Sequence, residues 1–440
     1  MQEVINLRQR KAYEYLKDDI YKYILYGGSA GSGKSFLGCE WLMQCGYFLP
    51  ETRWFIGRNN LKDCRESVLV TWTKVAQRHN FPHYKPNDNG IKFSNGSEII
   101  FLDLTLYPKK DPMFERLGSK EYTGGWIEEA GEVHYKAFEV LKSRIGRHLN
   151  DKYGIPPKLF LTCNPKKNWL YTDFYKPHIL GIIKAPYCYI PALCTDNPYL
   201  TDDYIRNLNE IKDKAMRERL LYGNWDYENE PGSLCDFDAI SDCFTNTAPA
   251  GKKSISADLA MQGRDKFIVG LWNGLRCTIK IDKDKSTGKS IEEDLRDLMQ
   301  KNGVGHSQTV ADSDGLGAYL NSYIEGIKTF HGGATALNPD LYASIKDECA
   351  FKLAEKINNR ELQIICNEEQ KQLIIEELQL LINANIDDDK AKKRIISKER
   401  MKEIIQRSPD YLDMLLMGMI YHLGVKQIQL QKFESWHKKK

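Results

Sequence analysis

Short apolar runs alternate along the chain with stretches of helical period, the arrangement expected of an α/β fold. Tyr23-Ile24-Leu25-Tyr26 reads as a strand, and beyond a glycine-rich stretch comes a helix, Phe36 to Gly46. Trp54-Phe55-Ile56-Gly57 reads as a second strand before a helix from Cys64 to His79. Ile91-Lys92-Phe93 and Ser97-Glu98-Ile99-Ile100-Phe101-Leu102 flank Asn95-Gly96, which predicts a hairpin with a two-residue turn. Gly125-Trp126-Ile127 and Lys158-Leu159-Phe160-Leu161-Thr162 each end at a polar residue, and strand ends on one edge of such a sheet are where chemistry collects.

Between Gly223 and Cys243 the periodicity fades into Asn, Asp, Glu, Pro and Gly, which reads as a linker. A second strand-rich block begins at Ser254 and continues through Lys266 to Trp272, Cys277 to Ile281 and Thr309-Val310-Ala311. There a glycine turn leads into a helix from Ala318 to Glu325. Ser408 as N-cap and Pro409 at the first helical position open a further helix. The boundaries that follow are a first domain over 1–225 with a doubly wound, mainly parallel sheet, a linker over 226–250, a second domain over 251–424 and a basic tail over 425–440.

Length supports this division, since 440 residues exceed one ordinary core and suggest about two or three domains. Charge changes the picture only by exclusion. With 63 basic and 60 acidic side chains the net charge is +3, so any surface for nucleic acid must be local. No run approaches the roughly 18 apolar residues of a membrane span. The start Met1-Gln2-Glu3-Val4-Ile5 has no signal-peptide layout, so the chain is expected to stay in the cytoplasm. Eleven cysteines without a C-x-x-C pair point to buried reduced thiols.

The chemistry starts at Gly28-Ser29-Ala30-Gly31-Ser32-Gly33-Lys34-Ser35, which matches G-x-x-x-x-G-K-[ST] between a strand and a helix. The glycines let backbone N–H groups turn inward around phosphates, Lys34 reaches the terminal phosphates, and Ser35 ligates Mg2+. A nucleoside triphosphate is therefore expected here. Such a site needs acids near the metal, and Gly125-Trp126-Ile127-Glu128-Glu129-Ala130 supplies two at a strand end. Glu128 would hold Mg2+ through its water shell and Glu129 would act as general base. The plainer alternative is an acidic turn at a helix start. In Leu159-Phe160-Leu161-Thr162-Cys163-Asn164-Pro165, Thr162 and Asn164 share a face at period two, so both could sense the γ-phosphate or its water. Standing alone, that segment would be an Asx-type turn closing a strand.

Taken together, Gly28 to Ser35, Trp126 to Ala130, and Thr162-Cys163-Asn164-Pro165 followed by Asn168-Trp169-Leu170-Tyr171 resemble the ATPase half of the large terminase subunits of tailed bacteriophages. Thr195-Asp196-Asn197-Pro198-Tyr199-Leu200 and Tyr222-Gly223-Asn224-Trp225 are similar to further landmarks of that family. The resemblance implies an ATP- and Mg2+-dependent motor that threads viral double-stranded DNA into a preformed capsid, and a nuclease domain that cuts the concatemer. It also implies a portal protein and a small terminase subunit as partners. The working form would be a homo-oligomeric, pentameric ring docked transiently on the procapsid in the host cytoplasm, a monomer when isolated, with no membrane involved.

The second block can be read for that nuclease. Ser254-Ile255-Ser256-Ala257-Asp258 is a strand with an acid at its end, and Asp312 follows Thr309-Val310-Ala311 in the same way. Asp410 and Asp413, three residues apart, lie on one helix face. Acids on two strands and a helix are what a two-metal, ribonuclease H-like nuclease requires, with two Mg2+ or Mn2+ ions held by carboxylate oxygens. The resemblance carries this role to Asp258, Asp312, Asp410 and Asp413. Asp410 has the alternative of a simple dipole contact in a first helical turn, which favours Asp413; Asp265 and Asp314 are further candidates.

Motors of this kind place an arginine against the γ-phosphate. Arg58, Arg144 and Arg147 are the candidates, each with the alternative of a solvated guanidinium. Lys390-Ala391-Lys392-Lys393-Arg394 could track DNA phosphates, although Asp387-Asp388-Asp389 offsets its charge, and Lys438-Lys439-Lys440 forms a basic end. Two other readings remain: a helicase or repair ATPase fused to a nuclease, and a catalytically silent assembly factor that docks at a portal.

Overall fold

The computed structural model describes residues 6–82, 84–87, 89–108, 110–227, 232–260, 266–312, 324–385 and 391–423. Asp265, Asp314, most of the helix expected from Ala318, Asp387 to Lys390 and the basic end lie outside the described residues. The chain divides into two compact units, Met1–Asn229 and Glu230–Lys440.

In the first unit the strands are β1 (Tyr23–Gly28), β2 (Arg53–Arg58), β3 (Tyr84–Asn87), β4 (Gly90–Phe93), β5 (Glu98–Asp103), β6 (Gly124–Ile127), β7 (Leu159–Cys163) and β8 (Tyr187–Ala192). Among the described residues they form one sheet in the order β3-β4-β5-β2-β6-β7-β1-β8. From β5 to β8 every pairing is parallel, and β3 and β4 add an antiparallel edge. β7 is buried along its whole length, as expected of a strand covered on both faces. The helices that matter for the site are α1 (Leu7–Lys17), α2 (Lys34–Phe48), α3 (Leu69–Arg78) and α4 (Lys214–Leu220). α2 buries Leu37, Trp41, Leu42 and Met43, and Gly38 lets it approach so closely that a Cβ there would sit 2.6 Å from the Trp126 ring.

Two expectations about this unit change. The β4–β5 hairpin closes through Phe93 N–H to Ser97 O at 2.9 Å, with Gly96 at φ 87°, so the loop has three residues, with the glycine in the left-handed position. The helix expected from Cys64 to His79 is interrupted: Cys64–Val68 forms a π-turn before α3, and that widened turn presents Ser67.

The second unit contains β9 (Lys253–Asp258), β10 (Phe267–Asn273), β11 (Arg276–Lys283), β12 (Thr309–Asp312), β13 (Lys328–Phe330) and β14 (Gln363–Ile365). Their order, among the described residues, is β13-β12-β9-β10-β11-β14. β9, β10 and β11 run antiparallel, whereas β12 is parallel to β9 and β13 to β12. An antiparallel three-strand meander extended on its first strand by two parallel ones is the ribonuclease H-like mixed sheet. The helices of this unit that bear on the site are α5 (Gly288–Asn302), α6 (Ile345–Asn358), α7 (Glu368–Leu378) and α8 (Asp410–Gly418).

The period of two along the strands sorts the faces. Ile255, Ala257 and Ala311 enter the core cluster of Ile291, Leu295 and Met299 from α5. The alternate positions, including Asp258 and Asp312, fall on the opposite face. α8 covers that face, buried from Asp410 to Gly418, and a Cβ on Gly418 would sit 2.4 Å from the Trp272 ring.

The stretch read as a linker is folded at both ends. Trp225 is buried in the first unit, and the helix Phe237–Asp242 is buried in the second through Phe237, Ala239 and Ile240. Its cysteines and apolar residues recur too briefly to show a period. At α8 the N-cap is Pro409 rather than Ser408, since Asp413 N–H bonds Pro409 O at 2.9 Å. All eleven cysteines are free thiols, buried except for the half-buried Cys45 and Cys366. Among the described residues no helix is long and apolar enough to cross a membrane.

Candidate active sites

The loop from Gly28 to Ser35 is shaped by glycines that no other residue replaces. At Gly28 a Cβ would meet Ala192 O at 1.9 Å, and Gly33 sits at φ 84° as it caps α2. Lys34 is only 7% exposed, and its Nζ donates to Ser29 O at 2.6 Å, Ser32 Oγ at 3.3 Å and Asn164 Oδ1 at 3.1 Å. Burial pulls its pKa below the usual lysine value, with Glu129 opposing. Ser35 Oγ donates to Glu128 Oε1 at 2.9 Å, which joins the loop to the end of β6. Glu128 Oε2 accepts from Arg58 Nη1 and Ser67 Oγ, each at 3.3 Å. Burial raises this carboxyl above the usual range, and Arg58 opposes the rise.

Supports from outside the motif hold the loop in place. Gln9 Nε2 donates to Gly33 O at 2.8 Å, Asn197 Nδ2 to Gly31 O at 2.7 Å, and Ala30 N–H to Leu220 O at 2.8 Å; Cys194 N–H also bonds Ser29 Oγ. Glu129 follows at φ 47°, at the start of a short 3-10 turn, Ala130–Glu132. Lys34, Ser35, Glu128, Glu129 and Asn164 are thus gathered at one set of strand ends.

Other expected members stand elsewhere. Thr162 Oγ1 accepts from Trp126 Nε1 at 2.9 Å inside the sheet packing, so only Asn164 of that pair reaches Lys34. Arg58 faces Glu128 and Ser67, Arg144 bonds Gly118 O, and Arg147 pairs with Glu121 at 3.1 Å on the surface. An arginine not singled out from sequence, Arg219 of α4, donates through Nε to Pro165 O at 2.9 Å, directly beside Asn164. Its motif neighbours in sequence carry no signal of this, because the contact spans 54 residues.

In the second unit, β9, β12 and α8 carry Asp258, Asp312, Asp410 and Asp413, and the last three lie within electrostatic reach of Asp258. Asp258 is raised well above the carboxylate range, chiefly by burial and then by the charges of Asp413, Asp410 and Asp312. Asp413 takes Lys346 Nζ on one oxygen at 2.7 Å and Lys398 Nζ on the other at 2.6 Å. Burial alone would raise Asp413, but the two lysines hold it below its ordinary value. Asp410 Oδ2 accepts from Lys266 N–H at 2.8 Å. Carboxylates of this kind are the donors that hard divalent cations take. Among the described residues, no three His, Cys, Asp or Glu side chains close to metal-holding spacing.

The two halves thus define a P-loop α/β domain joined to a ribonuclease H-like domain. The family model described as phage terminase large subunit matches residues 21–222. The chain is 28% identical over 139 residues to the PBSX phage terminase large subunit of Bacillus subtilis (strain 168). That match covers 28% of this chain and 30% of the relative, so less than a third of the relative's length is spanned. Among solved structures it is similar to the large terminase of a thermophilic bacteriophage in complex with ADP, at 14% identity and TM-score 0.42 over 93% of this chain and 99% of that one. The HK97 bacteriophage large terminase gives 9% identity and TM-score 0.45 over 93% of each chain. The nuclease domain of the large terminase subunit of bacterial virus Sf6 gives 15% and 0.36, over 42% of this chain and 98% of that one.

Proposed function

We propose that this chain is a packaging terminase large subunit: its first unit hydrolyses ATP to drive viral double-stranded DNA into a procapsid, and its second cuts concatemeric DNA. The observation that carries the reading is the joining of loop, acid and sensor in one site. Lys34 is bound by Asn164, and Ser35 by Glu128, across elements far apart in sequence. The family match over residues 21–222 supports the same reading.

In this reading Lys34 holds the β- and γ-phosphate oxygens, whose charge replaces its neutral acceptors. Mg2+ supplies charge neutralisation at the phosphates, with Ser35 and Glu128 as the residues that would hold it. Glu129 takes the proton of the attacking water. Asn164 reports the loss of the γ-phosphate. Asp258, Asp312, Asp410 and Asp413 would hold two Mg2+ or Mn2+ ions, which supply water activation and leaving-group stabilisation at the phosphodiester. Portal protein, small terminase subunit and a pentameric ring on the procapsid in the host cytoplasm are the partners and setting that belong to this function.

The test uses the purified full chain with ATP, linear double-stranded DNA and Mn2+. We expect ATP turnover and DNA cleavage in the wild type, and loss of turnover in Lys34→Ala. Turnover that survives in Lys34→Ala, or a wild type that neither hydrolyses ATP nor cuts DNA, overturns the proposal.

A further inference from the structure

One turn of α4 touches both walls of the phosphate cradle. Leu220 O accepts Ala30 N–H of the loop at 2.8 Å, and the neighbouring Arg219 donates Nε–H to Pro165 O at 2.9 Å. Pro165 follows Asn164, the side chain that accepts from Lys34 Nζ. The Arg219 guanidinium also lies 5.5 Å over the ring of Tyr227, and Lys167 Nζ lies 4.9 Å from the same ring. Lys167 Nζ further donates to Tyr227 O at 2.6 Å.

Tyr227 belongs to the last residues before the chain passes from the first unit to the second. Its two predecessors are tied as firmly. Asp226 accepts from Tyr171 Oη at 2.7 Å and Tyr175 Oη at 2.6 Å, both on the π-turn Tyr171–Tyr175. Trp225 stacks on Tyr175 with ring centroids 5.2 Å apart and donates Nε1–H to Tyr189 Oη at 2.9 Å. Tyr189 Oη in turn donates to Gly27 O at the end of β1, at 3.2 Å. Trp225 to Tyr227 therefore form a strap linked through Tyr189 to the strand that leads into the phosphate loop, and through Lys167 and the Arg219 guanidinium to the segment around Pro165.

We propose that Arg219 is a positioning residue of the nucleotide site, holding the Asn164–Pro165 turn toward Lys34 and passing its displacement to the Trp225–Tyr227 strap. This rests on the ATPase reading above. A phosphate that draws Lys34 away from Asn164 frees that turn to shift, and the Arg219 guanidinium bridges the turn carbonyl and the Tyr227 ring. The cation faces over Tyr227 tolerate a sliding movement better than the directional bond to Pro165 does.

The experiment uses the full chain with ATPγS as the binding probe, ATP as substrate, and hydrogen exchange at residues 225–227. In Arg219→Ala we expect kcat to fall about tenfold or more, with KM and the Kd for ATPγS within about threefold of wild type. Arg219→Lys should recover part of that loss. ATPγS should change exchange at 225–227 in the wild type and not in Arg219→Ala. Should Arg219→Ala fail to fold, Tyr227→Leu should lose the exchange response while turning over ATP within about twofold of wild type. Wild-type kcat in Arg219→Ala, a loss explained by KM alone, or an exchange response retained in either variant overturns the inference. A wild type that binds ATPγS without any exchange response at 225–227 overturns it as well, and one that binds no ATPγS overturns the ATPase reading with it.

Discussion

A buried ammonium bonded to neutral groups alone is costly, and Lys34 is held by three neutral acceptors. An anionic phosphate is therefore a better partner than those it has, which is why the loop is poised for one. Glu128 and Glu129 are adjacent in sequence but differ in setting: Glu128 is 3% exposed and pinned by Ser35, Arg58 and Ser67, whereas Glu129 sits in a left-handed turn beside Lys34's field. The pinned acid suits a metal shell and the looser one a proton transfer. Glu129→Gln should keep ATP binding yet lower turnover by about 100-fold or more, measured as steady-state hydrolysis beside nucleotide affinity. Normal turnover in that variant would sink the base assignment.

Among the elements, close packing sets where the strand ends that carry the candidate residues lie. α2 lies against β6 because Gly38 offers no Cβ to the Trp126 ring. Gly38→Ala should destabilise the first unit by about 1–3 kcal/mol, read as a lowered urea midpoint. An unchanged midpoint would mean that the helix lies less tightly than 2.6 Å implies. α8 is positioned by Glu377, fully buried on α7, whose Oε2 accepts Leu412 N–H at 2.7 Å while Arg407 bonds its other oxygen. Burial lifts Glu377 from 4.5 to about 7, against the pull of Arg407. Between those values the folded chain keeps a proton that the unfolded chain has lost. The contribution is thus full below 4.5 and lost as pH rises through about 7. Wild type should lose on the order of 3 kcal/mol relative to Glu377→Gln across that window. Parallel pH profiles of the two unfolding midpoints would refute this.

At the scale of the molecule, the residues proposed for ATP hydrolysis and those proposed for DNA cleavage lie on different sheets in different compact units, divided at Asn229. Asp258→Ala should therefore abolish Mn2+-dependent cleavage of linear DNA and leave ATP turnover within about twofold of wild type. Loss of both activities would argue against separate sites. The strap from Trp225 to Tyr227 belongs to the end of the first unit, just before the chain passes to the second. Composition along residues 223–243 reads as linker because turn formers outnumber apolar residues there, yet Trp225 and Phe237 in it are buried.

The sequence by itself determined what local spacing can encode. The strand–loop–helix around Lys34, the paired acids after Trp126 and the acids at the ends of β9 and β12 each lie within a few residues, where period and turn chemistry speak directly. Asp410 and Asp413 were legible as one helix face for the same reason. Only the tertiary structure decided which of these groups meet. It brought Asn164 to Lys34 and sent Thr162 to Trp126, turned Arg58 onto Glu128, and placed Lys346 and Lys398 on Asp413. It also revealed Arg219, Glu377 and Arg407, whose partners lie tens of residues away. Long-range contacts of that kind follow from how sheets and helices close on one another, and no pattern within a single segment specifies them.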